Sequence, residues 1–299
     1  MRIALIFSSV FIGALLFGAI LAYPVYSGIA LFDEMQFHRV ISRTTLLSGL
    51  LFSILYLRFC GLLSKDGLAW RSGGMTKKHA LTAGFASGVF IVLSMDSCFL
   101  LLDIYQFDAG VDTSALTLLV VGIKAILTGI LVGLVEETIF RGALFGGLNK
   151  QSNATIALLA TSLLYAAVHF LKYRAVPADV EIGWFTGIEI FPAALFRFSN
   201  PVTVDSFITL FILGVLFAFI RIRSNSIIPC IGLHAGIVAS LKYFNYLTNY
   251  ESGSQYDFLV NKIDHQFGYL ASALLLLAML FYHFLTLPSD ENHPVGQDS

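Results

Sequence analysis

Long apolar runs separated by short polar stretches follow one another along the chain. A membrane-spanning helix needs about 20 mostly apolar residues. Eight runs meet that length, at roughly 3–23, 41–63, 79–102, 115–148, 154–173, 204–223, 226–246 and 267–287. The pattern predicts an all-α, polytopic membrane protein of about eight transmembrane helices. The fourth run is too long for one upright span and must tilt, kink or continue beyond the bilayer. Gly232, His234 and Gly236 weaken the hydropathy of the seventh. The segment 182–198 is aromatic and broken by Pro192, which predicts an interfacial or re-entrant piece rather than a ninth span. The first run exceeds the roughly 7–15 residues of a signal peptide's apolar region, so it reads as a retained helix. The polar stretch 289–299 is expected to fray.

Composition sharpens this picture. The 299 residues are 57% hydrophobic and 12% charged, whereas soluble domains carry about 25% charged residues. A net charge of −1 excludes a broad basic surface and with it nucleic acid as a partner; membrane lipid is the expected surrounding. Cys60, Cys98 and Cys230 make no metal pattern and read as small apolar fillers. The expected organisation is one integrated membrane domain: N-terminal helices over 1–114, a core over 115–246, and a last helix with a polar tail over 247–299. Lys65, Arg71, Lys77, Lys78, Arg141, Lys150, Arg221 and Arg223 fall at one set of run ends, and Asp103, Asp108 and Asp112 at the other. By the positive-inside rule both termini are then cytoplasmic; Lys172, Arg174 and Arg197 fit this less well.

Within the apolar runs, small residues recur four apart: Gly84 with Gly88, Gly129 with Gly133, Gly142 with Gly146, and Gly232 with Gly236. Such pairs let helix backbones approach closely in lipid. Asp96 and Lys124 lie at corresponding ends of the third and fourth runs and read as a structural pair. The fourth run also holds "EETIFR", residues 136–141. A charge near the bilayer centre costs roughly 2.5–3.5 kcal/mol on insertion scales, so three charges in six residues need a solubilising context or a function. Glu137 and Arg141 are four apart on one helical face and can pair. Glu136 points about 100° away; left unpaired in a low-dielectric pocket, it suits a general base. An interfacial charge cluster at a helix end is the alternative. His169 lies late in the fifth run and His234 inside the seventh. Polar groups in lipid tend to turn toward the bundle interior and find one another, so two imidazoles and a free carboxylate could activate a water or hold a metal. A rise of 1.5 Å per residue puts Glu136 and His234 roughly 12–18 Å deep and His169 deeper, at about 22 Å.

These residues resemble the signatures of the CAAX-protease and bacteriocin-processing family of intramembrane proteases, which includes type II CAAX prenyl endopeptidases. "EETIFR" matches Glu-Glu-x-x-x-Arg. "YAAVH" matches Phe-x-x-x-His, with Tyr165 in the Phe position and His169 in place. In "HAGIV", His234 matches the third motif, but Val238 stands where the family has Asn or a similar polar residue. The resemblance covers about 115–245. It implies a peptidase that acts on a membrane-associated, in some members prenylated, protein or peptide at a cell membrane, a bacterial inner membrane being the expected one. Glu136 would be the base, His169 would help polarise the water, His234 would stabilise the oxyanion, and Glu137 with Arg141 would hold the geometry. The resemblance implies no required cofactor in a glutamate–histidine mechanism. The alternative is a divalent metal such as zinc, held by Glu136, His169 and His234. Asn245, Tyr165 or a backbone N–H is expected to replace the donor missing at Val238. Failing that, the chain is a silent binding or bacteriocin-immunity protein. A proton-coupled transporter is the third reading, since membrane Glu and His also serve as proton relays.

Overall fold

The computed structural model describes residues 2–30, 35–71, 75–171, 173, 175–177, 180–195 and 203–286. Helices occupy all eight predicted runs. They are α1 (Arg2–Ile29), α2 (Phe37–Phe59), α3 (Lys77–Leu101), α4 (Ala115–Glu137), a π-helix (Thr138–Leu144) continuing into α5 (Phe145–Gln151), α6 (Ala154–His169), α7 (Thr186–Leu195), α8 (Val204–Ser224), α9 (Ile228–Leu247) and α10 (Tyr269–Leu285). Five stretches are long and apolar enough to cross a membrane: Leu5–Ile29, Phe37–Phe59, Lys77–Leu101, Ala115–Gln151 and Val204–Ser224. The apolar helices α6 and α10 are shorter, at 16 and 17 residues. The chain is an all-α polytopic membrane protein; lipid covers the many exposed Leu, Ile and Phe side chains.

Helix α9 is long enough to span but less apolar than those five. Its position explains this. It packs between α3 and α4, and its first three turns are almost wholly buried in protein. The glycine pairs make that packing close. A Cβ at Gly84 or Gly88 of α3 would sit 2.8–2.9 Å from backbone nitrogens of α9; one at Gly232 or Gly236 of α9 would sit 2.9–3.0 Å from those of α3. Gly133 of α4 meets the opposite flank of α9, where its Cβ would lie 2.9 Å from the Ile231 carbonyl and 3.2 Å from the His234 Cβ. Gly142 and Gly146 differ from expectation. They face Leu68 and Gly67 of the 61–70 turn rather than a helix.

The rod from α4 to α5 reverses at Ser152, and Asn153 caps α6 by accepting the Ile156 N–H at 2.9 Å. Pro229 opens α9, where a missing N–H costs nothing. A short antiparallel ribbon, β1 (Tyr105–Phe107) with β2 (Thr248–Tyr250), closes one end of the bundle; that end is called the ribbon end below. There Ser114 caps α4, and Asp112 accepts from Thr117 and Ser114, bonds that hold its carboxyl below the usual range. Over its described residues, 182–195, the aromatic segment forms no span: α7 has ten residues, about 15 Å of helix. It lies on α1, with Trp184 against Tyr23 at 5.2 Å between ring centroids.

Three further expectations change. Asp96 and Lys124 do not pair. Gly122, Ala125 and Ile126 turn toward Asp96 and α9, which leaves Lys124 on the exposed face. Only Cys230 is a buried filler, since Cys60 is exposed and Cys98 half-buried. Arg141 is no loop charge, because it is completely buried. Lys172, Arg174, Arg197 and the 289–299 tail lie outside the described residues.

Candidate functional site

Glu136 and Glu137 end α4 where the rod widens into the π-helix. Single π turns inside α-helices are frequent at functional sites. This one carries Arg141 inward. Glu137 and Arg141 are both 0% exposed, so each charge needs partners inside the protein. The Glu137 Oε1 accepts from Arg141 Nη1 at 3.3 Å and from His234 Nδ1 at 2.8 Å. Arg141 Nη2 donates to the Gly214 carbonyl at 3.1 Å. Its guanidinium carbon lies 4.4 Å from the Tyr165 ring centroid and 4.8 Å from that of Phe217, cation–π distances that favour a desolvated guanidinium. Phe217 also stacks on the His234 ring, at 5.1 Å and 17°.

Glu136 faces the other way, toward both imidazoles. Its Oε2 is 3.9 Å from His169 Nε2 and 3.9 Å from His234 Nε2. The atom is buried and has no hydrogen-bond partner of its own. The Glu136 side chain is 28% exposed, His169 30% and His234 5%, so the cluster opens to the surface along the Glu136–His169 side. The opposite ring atoms are fixed. His169 Nδ1 lies 2.7 Å from the Tyr165 carbonyl. A carbonyl only accepts, so this nitrogen carries the hydrogen, and Nε2 of the neutral ring presents a lone pair. His234 Nδ1 donates to the Glu137 carboxylate by the same argument, since Arg141 compensates that charge. Two rings backed by fixed acceptors therefore aim their Nε2 atoms at one carboxylate oxygen.

The structure thus brings Glu136, Glu137, Arg141, Tyr165, His169 and His234 into one cluster. His169 is not deeper than the others. Fifteen residues lead from Glu136 to the end of α5, and fifteen from the start of α6 to His169, so this hairpin returns His169 to the level of Glu136. Asn245 is remote: it lies 11 residues beyond His234, about 16 Å along α9, and accepts from Gln266. Val238 is half-buried one turn beyond His234 and brings no polar atom. Tyr165 packs its ring 4.5 Å from His169 and edge-on to Phe140. Gly214 and Phe217 are residues that sequence reading misses. The signal for Gly214 was its being the lone glycine of an apolar helix. Phe217 is one of 27 phenylalanines and carried none.

The alternative zinc set fits poorly. Ligands about 2.1 Å from a tetrahedral ion stand about 3.4 Å apart, less than the 3.9 Å here. Among the described residues no group of three His, Cys, Asp or Glu side chains has metal-holding geometry. A separation of 3.9 Å exceeds a direct hydrogen bond and leaves the three atoms within reach of one water set to their side.

No curated protein and no solved structure matches the chain. A family model does, that of the "Type II CAAX prenyl endopeptidase Rce1-like" family, over residues 118–240. The matched stretch runs from α4 to the middle of α9 and includes every side chain of the cluster. Over residues 118–240, less than half of its length, the chain is similar to the Rce1-like family of type II CAAX prenyl endopeptidases.

Proposed function

We propose that the chain is an intramembrane endopeptidase that hydrolyses a peptide bond of a membrane-associated protein or peptide, a prenylated chain end being one such substrate. The observation that carries this reading is the buried, unpartnered Glu136 Oε2 standing 3.9 Å from both Nε2 atoms. A water held among the three groups gives one proton to Glu136 as its oxygen attacks the carbonyl carbon. His169, with its Nδ1 hydrogen committed to the Tyr165 carbonyl, accepts the second hydrogen of that water and orients it. His234, backed by the ionised Glu137, is the ring built to carry positive charge, so its Nε2–H donates to the developing oxyanion. The proton on Glu136 then passes to the departing amine as the C–N bond breaks. Glu137, Arg141, Gly214 and Phe217 hold His234 in place. The cluster sits toward the end of the bundle that the Lys and Arg distribution assigns to the cytoplasm.

The test compares native protein with Glu136→Gln in its own membrane, by mass spectrometry of new chain ends and of trapped partners. Native protein should generate chain ends that the variant does not, and the variant should retain the uncut partner. Equal yields of new chain ends from both would overturn the reading. A second reading, a silent binding or immunity protein, is favoured by Val238, which leaves the oxyanion one donor short. Under it Glu136→Gln generates the same chain ends as native protein and preserves any protective phenotype.

A further inference from the structure

A second cavity lies toward the ribbon end, between α3, the first half of α4, the second half of α9 and Phe107 of β1, with a volume of about 460 Å³. Small-molecule sites typically measure about 300–1,000 Å³. Its walls are apolar and aromatic, including Phe85, Phe107, Tyr243 and Phe244, with one ionisable carboxyl group among them, Asp96. Asp96 is 4% exposed, and its Oδ1 is buried with no hydrogen-bond partner.

Neighbouring groups offer little to that oxygen. Ser97 donates to the Leu93 carbonyl of its own helix at 2.7 Å. The Tyr105 hydroxyl donates to the His265 carbonyl at 3.2 Å. Lys124 is on the exposed side of α4, and no Lys, Arg or His among the described residues forms an ion pair with Asp96. Ten residues of α4, about 15 Å, separate Ile126 at the cavity from Glu136, so this is not part of the Glu136 cluster.

We propose that this cavity binds an amphipathic organic cation, a primary alkylammonium whose charged head pairs with Asp96 and whose chain lies along the aromatic walls. A buried carboxylate in an apolar site requires a counter-charge or a proton. A bare metal ion would need six or more oxygen ligands for calcium, and the lining side chains supply one carboxyl group and the hydroxyls of Ser97, Ser240 and Tyr243. An ammonium head needs fewer oxygens. It is also attracted by aromatic faces, and its tail accounts for the apolar volume beside the charge.

The test uses the full chain in nanodiscs of zwitterionic lipid, titrated with octylammonium and, separately, with 1-octanol, its uncharged counterpart. Native protein should bind octylammonium saturably and at least about tenfold more tightly than octanol. Asp96→Asn should remove that preference. Gly122→Leu keeps the carboxyl group and fills the space; a Cβ there meets Tyr243 Cε2 at 3.7 Å, an ordinary contact. It should abolish octylammonium binding, whereas Glu136→Gln should leave it unchanged. Equal affinity of native protein for octylammonium and octanol would show that Asp96 is a neutral acid beside a slot for uncharged chains, and would overturn the proposal. So would unchanged octylammonium binding by Asp96→Asn or Gly122→Leu. Should Asp96→Asn not fold, the native and Gly122→Leu titrations decide alone.

Discussion

Along α9, His234 meets the adjacent carboxylates of Glu136 and Glu137, and about two turns later Ser240 and Tyr243 line the cavity that holds the lone carboxylate of Asp96. At the first place the protein supplies nearly every partner. Glu137 has a guanidinium and an imidazole, and each histidine has its Nδ1 committed. Glu137 Oε2 and Arg141 Nε stay without a hydrogen bond, and so does Glu136 Oε2, which alone of the three faces two imidazole nitrogens, at 3.9 Å. At the second place the protein supplies only walls. A site preorganised for chemistry fixes its dipoles before the reactant arrives, whereas a site for a charged ligand leaves its charge for the ligand to neutralise. The same helix serves both: its small residues let α3 and α4 lie against its first half, and its second half lines the cavity.

Four substitutions break or sharpen this comparison. Glu136→Gln keeps the shape of the first site and removes the base proposed above. The rate constant for cleavage should fall about a thousandfold, about 4 kcal/mol of transition-state stabilisation, with an unchanged thermal midpoint. A variant that both melts early and cleaves slowly would instead place Glu136 among the structural charges. Arg141→Met leaves Glu137 buried beside His234 alone. Breaking a buried pair costs about 3–5 kcal/mol, read as a lowered unfolding midpoint, and the double variant Arg141→Met, Glu137→Gln should recover part of it. An unshifted midpoint for Arg141→Met would show that the buried ion pair is not structural. Val238→Asn restores a polar group one turn past His234. It should raise the rate constant about tenfold, less than the roughly hundred- to thousandfold that a preorganised oxyanion donor supplies; no gain would mean that Val238 does not face the reacting carbonyl. The smallest effect belongs to the second site. Asp96→Asn removes an unpartnered buried acid and should change stability by less than about 1 kcal/mol, toward a higher midpoint in the absence of amines. A large loss would reveal an unseen partner for Asp96.

Much of this arrangement is legible in the chain. A helix in each apolar run follows from run length, because the bilayer forces backbone groups to satisfy one another within each helix; the ends shift, by four residues in α2 and α6. The Glu137–Arg141 pair follows from four-residue spacing. Other features were not legible. The equal depth of Glu136 and His169 depends on where the hairpin turns, at Ser152 rather than at the end of the apolar run. The failure of Asp96 to meet Lys124 depends on helix rotation, which apolarity does not specify when every face of α4 is oily. The neighbours of Gly142 and Gly146 are a turn, and no spacing rule distinguishes a turn from a helix as the surface a glycine admits.

The sequence by itself determined that this chain builds apolar helices, that small residues set their contacts, and that Glu136, Glu137, Arg141, His169 and His234 are too costly in lipid to be left unpartnered. Those are local or compositional facts, fixed by solvation energy and helical period. Only the tertiary structure decided that Glu137 and not Glu136 takes His234 Nδ1, that Gly214 and Phe217 complete the Arg141 setting, and that Asp96 is left alone. Those choices depend on the relative rotation and depth of separate helices, which are set by packing between residues far apart in the chain.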